Sequence, residues 1–144
     1  MLSVVFPVHP RTKKTIDELS LSLPPSLIVI EPLAYLEFVK LESSARLVLT
    51  DSGGVQEETT ALGISCLTLR TSTERPVTVT HGTNQVVGTD PARVLAAARA
   101  VLLERPPVRR PELWDGHTAE RAIAALLQSV SSDAWKPYDL GQQR

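Results

Sequence analysis

Five short, almost unbroken apolar runs, separated by segments of helical character, constrain the fold of this chain more than any other feature. They are Leu2–Phe6, Leu27–Ile30, Leu47–Thr50, Cys66–Leu69 and a weaker one at Gln85–Val87. A strand with one wet face alternates apolar and polar residues. A continuous apolar run suits a strand covered on both faces, as in a parallel sheet under helices. The intervening segments supply the helices. Pro10–Leu19 carries a proline in its first turn, Leu33–Leu41 is short and apolar, and Gly54–Leu62 is stopped by Gly63. Further on, Asp90-Pro91 sets an N-cap acceptor before a proline at the first helical position. Val94, Leu95, Ala98, Val101 and Leu102 then share one helix face. After the stiff connector Pro106–Pro111, Asp115–Thr118 opens a last helix with Ile123, Leu126, Leu127 and Val130 on one stripe. The pattern predicts an α/β fold: an open, Rossmann-like, mostly parallel sheet with flanking helices. In such sheets ligands bind outside the carboxyl ends of the strands, so the loops to inspect are 7–10, 31–32, 51–54 and 70–76.

Length and composition narrow the function classes. The 144 residues suit one ordinary domain, and 42% hydrophobic against 22% charged residues predicts a folded, soluble body. Residues 1–131 are expected to form that domain and residues 132–144 a polar tail, with Trp135 and Tyr138 as its candidate docking residues. Fifteen Lys and Arg against sixteen Asp and Glu give a formal charge of −1. Nonspecific binding to nucleic acid or to an anionic membrane needs a cationic surface and is not expected. No apolar stretch approaches the roughly 20 residues of a membrane span, and the N-terminus lacks a basic leader. The single cysteine, Cys66, lies in an apolar run and reads as a buried thiol. A reducing cytoplasm is the expected compartment.

The segment Thr50-Asp51-Ser52-Gly53-Gly54-Val55-Gln56-Glu57-Glu58 is the strongest local signal. A buried strand ends and a helix begins across two glycines. Glycine lets a ligand approach the backbone, and the first helical N–H groups lack partners. Phosphate accepts from such donors and is favoured by the helix dipole. The plainer alternative is a tight turn with no ligand. No lysine follows the glycines, so this is not a Walker loop, nor is it the three-glycine dinucleotide fingerprint. Glu58 lies one turn into the helix on the face of Gly54, where a carboxylate can accept from a ribose diol. Glu57 reads as a solvated helix residue. Arg70 and Arg75 flank a loop at the binding edge, where either could meet a diphosphate; the alternative is an internal pair with Glu74. His9 also sits at a strand end, although a lone histidine is more often structural than catalytic. No His/Cys/Asp spacing resembles a metal site, and there is no credible Ser-His-Asp set.

Taken together, the stretches FPVHPRTKK (6–14), EPLAYLEFVKL (31–41), TDSGGVQEE within 45–88, TERP (73–76) and ELWDGHTAERAIAAL (112–126) resemble the non-hydrolysing UDP-N-acetylglucosamine 2-epimerases. The resemblance implies one half of a GT-B fold, the C-terminal, nucleotide-holding half, with the first strand and helix of that half and the whole N-terminal domain missing. By position it implies that Ser52, Gly53 and Gly54 bind the UDP phosphates, that Glu58 holds the ribose hydroxyls and that Arg75 faces the sugar-diphosphate. Phe38, with Glu31, would border uracil. Arg70 and Arg11 are further candidates, and His9 would lie on the cleft wall as a tentative catalytic group. No metal or redox cofactor is implied.

The implied chemistry is elimination of UDP to give a 2-acetamidoglucal, then its re-addition with the C2 proton on the other face. Most acid/base carboxylates of that reaction belong to the missing domain, so the chain alone is expected to bind UDP without epimerising UDP-GlcNAc. The expected partners are UDP or UDP-GlcNAc and either an N-terminal domain or a second copy of the chain. The alternatives are a non-catalytic UDP-sugar module and the donor half of a GT-B glycosyltransferase.

Overall fold

A computed structural model describes residues 3–131, with side chains through residue 129. Leu2, Val130, Trp135 and Tyr138, named above, have side chains outside the described set. The chain divides into two compact units, one up to Ala45 and the other from Arg46 onward.

In the first unit, β1 (Val4–Pro7) leads through α1 (Pro10–Glu18) to β2 (Leu27–Ile30), followed by α2 (Tyr35–Ser43). The two strands pair in parallel, Val4 opposite Leu27 and Pro7 opposite Ile30. Their connection through α1 is the helical crossover that parallel neighbours require. Beyond the strands, the Val8 N–H donates to the Ile30 carbonyl at 3.0 Å, and Val8 is buried. Val4, Val5, Ile28 and Val29 are exposed. Helix α2 starts two residues later than its apolar pattern suggests. Pro32 favours extended backbone in the residue before it, and Glu37 Oε2 accepts the Ala34 N–H at 3.3 Å, which fixes the helix start at Tyr35.

In the second unit, β3 (Val48–Thr50), α3 (Gly53–Leu62), β4 (Cys66–Thr68), α4 (Pro76–Thr80), β5 (Asn84–Val86), α5 (Pro91–Glu104) and α6 (Thr118–Ser131) follow in order. The strands form a parallel sheet in the order β3-β4-β5, with Val48 opposite Cys66 and Cys66 opposite Asn84. The parallel α/β arrangement is as expected, with the strands shared between two sheets. Leu67 and Cys66 on the central strand are buried and form the core with Val87.

The buried face of α3 is polar. Gln56, Thr59 and Thr60 are all fully buried. Helix α3 ends as expected at Gly63, whose φ of 76° is left-handed. Its N–H donates to the Thr60 carbonyl, and the next N–H, of Ile64, reaches back to Thr59. Asp90 caps α5 by accepting the Arg93 N–H at 2.8 Å, ahead of Pro91. Cys66 is buried, as its setting predicted. Helix α4 has no counterpart among the helices that the sequence pattern predicts. Among the described residues no helix is long and apolar enough to cross a membrane, and no group of three or more His, Cys, Asp or Glu is placed to hold a metal ion.

Candidate functional site

The site is built where β3 passes into α3. Thr50 closes the strand, and its Oγ1 accepts the Ser52 N–H at 3.0 Å. Ser52 occupies the N-cap position with extended dihedrals, yet its hydroxyl makes no capping bond. The first N–H inside the helix to find an acceptor is that of Gln56, which donates to the Ser52 carbonyl at 3.3 Å. The N–H groups of Gly53, Gly54 and Val55 meet no acceptor among the described residues. The positive end of a ten-residue helix therefore presents three donors and an uncommitted hydroxyl. A Cβ on Gly54 would have only Ser52 Oγ nearby, at 3.8 Å. One on Gly53 would lie 4.0 Å from Cγ and Nε of Arg75. The guanidinium thus stands within van der Waals reach of the helix start.

Arg75 arrives there from the neighbouring strand, β4, through the loop 69–75. Within that loop Arg70 and Glu74 form a bidentate pair at 2.9 and 3.2 Å. The backbone N–H of Glu74 and the Arg70 guanidinium hold the Glu74 carboxyl below its ordinary range. Arg75 is engaged differently. Its Nε lies 3.0 Å from Glu57 Oε1 as an ion pair, and its side chain is still 43% exposed. Glu57, read from sequence as a solvated helix residue, is therefore the partner of the site's arginine. Glu58 is half-buried, and among the described residues its carboxylate has no hydrogen bond or ion pair.

Behind Arg75 lies a buried polar cluster. Gln56 Oε1 accepts from the Thr73 hydroxyl at 2.5 Å and from Asn84 Nδ2 at 3.1 Å. Asn84 also donates to Thr78 Oγ1 at 3.0 Å and accepts from the Thr68 hydroxyl at 2.7 Å. Thr73 Oγ1 accepts the Arg75 N–H at 2.9 Å, and the Thr78 hydroxyl donates to the Arg75 carbonyl at 2.7 Å. Sequence reasoning missed Gln56, Thr73, Thr78 and Asn84. The available signal was Gln56 itself, a long polar residue on a helix between two apolar runs.

The remaining candidates belong to the first unit. His9 is exposed and is the N-cap of α1, its Nδ1 accepting the Arg11 N–H at 3.2 Å. That bond leaves the ring proton on Nε2. Arg11 is exposed. Glu31 accepts from Lys13 Nζ at 2.6 Å, and that bond raises the Lys13 pKa. Phe38 is half-buried on α2, and Tyr35 and Leu36 beside it are exposed. A hollow of about 380 Å³, lined by Arg46, Ile64, Ser65 and Leu102 among others, lies by the amino ends of β3 and β4 and not at the glycine turn.

The family model described as UDP-N-acetylglucosamine 2-epimerase matches residues 1–127. The UDP-N-acetylglucosamine 2-epimerase of Methanocaldococcus jannaschii is 41% identical over 128 residues, which are 86% of this chain and 35% of that protein. The UDP-2,3-diacetamido-2,3-dideoxy-D-glucuronate 2-epimerase of Pseudomonas aeruginosa is 44% identical over 127 residues, 88% of this chain and 35% of that protein. The structure of the M. jannaschii enzyme in complex with UDP-GlcNAc and UDP superposes with a TM-score of 0.75 at 40% identity, covering 88% of this chain and 36% of that one. The chain thus spans about 35% of the length of these relatives. The fold is the parallel α/β type expected of one half of a GT-B architecture.

Proposed function

The chain belongs to the UDP-N-acetylglucosamine 2-epimerase family, and on that premise we propose that it is the UDP-holding part of a UDP-sugar 2-epimerase, an isomerase. One observation carries this reading: an open helix start of three N–H donors with an arginine at its side. A diphosphate is the ligand whose charge and acceptor geometry match both. The amides of Gly53 and Gly54 and the Ser52 hydroxyl bind phosphate oxygens. Arg75 adds a cation, and the unengaged Glu58 carboxylate accepts from the ribose hydroxyls. Arg70 is committed to Glu74, so the anion contact falls to Arg75. On the same proposal, Phe38 contacts the base and His9 is the catalytic candidate.

The reaction explains why such a holder is needed. C2 of the sugar is not adjacent to a carbonyl, so its proton is poorly acidic. Removing that proton while the C1–O bond to UDP breaks gives a 2-acetamidoglucal and UDP. Adding UDP back, with the proton delivered to the opposite face, gives the 2-epimer. Negative charge develops on the departing diphosphate, where fixed N–H groups and a guanidinium stabilise it. Retaining both fragments keeps the return step effectively intramolecular. The P. aeruginosa relative carries a different sugar in its name and the same UDP, which fits a division of labour in which this region reads the nucleotide.

Because the chain spans about 35% of its relatives, we place the base for C2 in a further domain or partner chain, and the working compartment in the cytoplasm. Residues 1–131 are on this reading the UDP-binding region. Calorimetry with UDP and an NMR assay with UDP-GlcNAc test the proposal. Saturable UDP binding without turnover supports it, and clean epimerisation by the chain alone overturns the assignment of the base elsewhere. The same span favours a second reading, a UDP-sugar module without catalysis. Failure to recover turnover with any N-terminal epimerase domain would select it.

A further inference from the structure

We propose that Gln56 and Asn84 are positioning residues: a buried amide pair that fixes Arg75 beside the helix start by gripping its backbone through two threonine hydroxyls. The inference rests on the UDP reading of the site and assigns the device that keeps its cation in register.

Loop residues between a strand and a helix are ordinarily the mobile part of an α/β unit. An arginine there loses binding energy to the ordering of its own backbone and side chain. In this chain both backbone groups of Arg75 are already held. Its N–H donates to Thr73 Oγ1 and its carbonyl accepts from Thr78 Oγ1. Each hydroxyl is in turn bonded to a fully or nearly fully buried amide, Thr73 to Gln56 and Thr78 to Asn84, and the two amides bond to each other. Asn84 is anchored to the central strand through Thr68. The route runs from the sheet, through two amides, to a single loop residue.

Helix α3 serves both ends of the arginine with consecutive residues. Gln56 points inward and governs the backbone of Arg75; Glu57 holds its Nε. The helix whose first turn supplies the N–H donors is therefore the element that places the guanidinium. A polar core of this kind is a poor choice for stability alone. Gln56 Nε2 has no protein partner among the described residues, and an apolar side chain of equal volume would avoid burying that donor.

The test uses the chain as it is, with UDP as the probe. Gln56→Met keeps volume and removes the acceptor. Thr73→Val removes the hydroxyl that takes the Arg75 N–H, and Thr73→Ser retains it. UDP affinity is measured by calorimetry, and the Arg75 Nε–H resonance and its exchange rate are followed by NMR. We expect Gln56→Met and Thr73→Val each to weaken UDP roughly tenfold, as loss of a charge-assisted contact does. Their effects should not add, because both break the same bond. Thr73→Ser should stay within about twofold, by the same affinity arithmetic. Gln56→Met should lose some thermal stability, because it takes the acceptor from the Thr73 hydroxyl and the Asn84 amide, whereas Thr73→Ser should not, and in Gln56→Met the Arg75 Nε–H resonance should shift.

Folded Gln56→Met and Thr73→Val proteins with parental affinity and an unchanged Arg75 signal would overturn the inference. Should Gln56→Met fail to fold, the pair at Thr73 decides. Absence of UDP binding by the parent would count against the UDP reading instead, and the Arg75 signal would still decide whether the amides position it.

Discussion

Glu57 Oε1 and Arg75 Nε lie 3.0 Å apart, an ion pair that ties α3 to the loop after β4. The pair uses the inner nitrogen of the guanidinium; of the terminal nitrogens, Nη1 donates to the Glu74 carbonyl at 3.4 Å and Nη2 is left for a ligand. Lysine has no such division, since one ammonium must serve both partners. Arg75→Lys is therefore expected to weaken UDP about tenfold. Stability should change by no more than about 0.5 kcal/mol, because half-exposed pairs contribute little. Calorimetry and urea denaturation of the same sample check both parts.

Two glycines with the same φ of 76° separate backbone strain from contact. A Cβ on Gly63 would fall 2.7 Å from Val108 Cγ1, whereas one on Gly88 would meet nothing within 4 Å. Gly88→Ala should cost about 1–2 kcal/mol, the left-handed penalty alone. Gly63→Ala should cost clearly more, about 2–4 kcal/mol, because Val108 must also move. Equal losses in denaturant titrations would contradict the packing of the proline-rich connector against the end of α3.

Acid should loosen the start of α6. Arg121 and the His117 N–H both donate to the Asp115 carboxylate, at 2.7 and 3.0 Å, and hold it well below the usual carboxylate range. A carboxyl depressed in the folded state stabilises fully above its unfolded value, about 3.9. That contribution fades as pH falls from there toward the folded value. Asp115→Asn should therefore be less stable than the parent at pH 7. The gap should narrow steadily below about pH 4, as read by helicity and denaturation. A gap independent of pH would show that the ion pair does not act as described.

How much of this was legible beforehand depends on which atoms do the work. Backbone rules are written in local residues. Gly63 stops α3, Asp90-Pro91 starts α5 and Leu27–Ile30 is a strand, all as their sequence signals predict. The glycine turn at Ser52–Gly54 was legible for the same reason. The polar cluster was not, because hydropathy assigns Gln56, Thr59 and Thr60 to solvent while the fold buries all three. Its bonds join residues up to 28 apart in the chain, and no local spacing encodes them. Glu57 was misread because its partner comes from the loop after the next strand. Helix α4 hid in a run of Thr and Val whose only start signal is Pro76. The division of the strands between two sheets is likewise a matter of pairing, which apolar runs do not specify.

The central claim is that the open start of α3 holds a diphosphate, and the amides of Gly53, Gly54 and Val55 report on it directly. In a ¹⁵N-labelled, folded sample titrated with UDP, these three resonances should move together and saturate on a single isotherm, with the Arg75 Nε–H shifting in step. Unmoved Gly53 and Gly54 signals at millimolar UDP, in a protein whose spectrum shows it folded, would contradict the account.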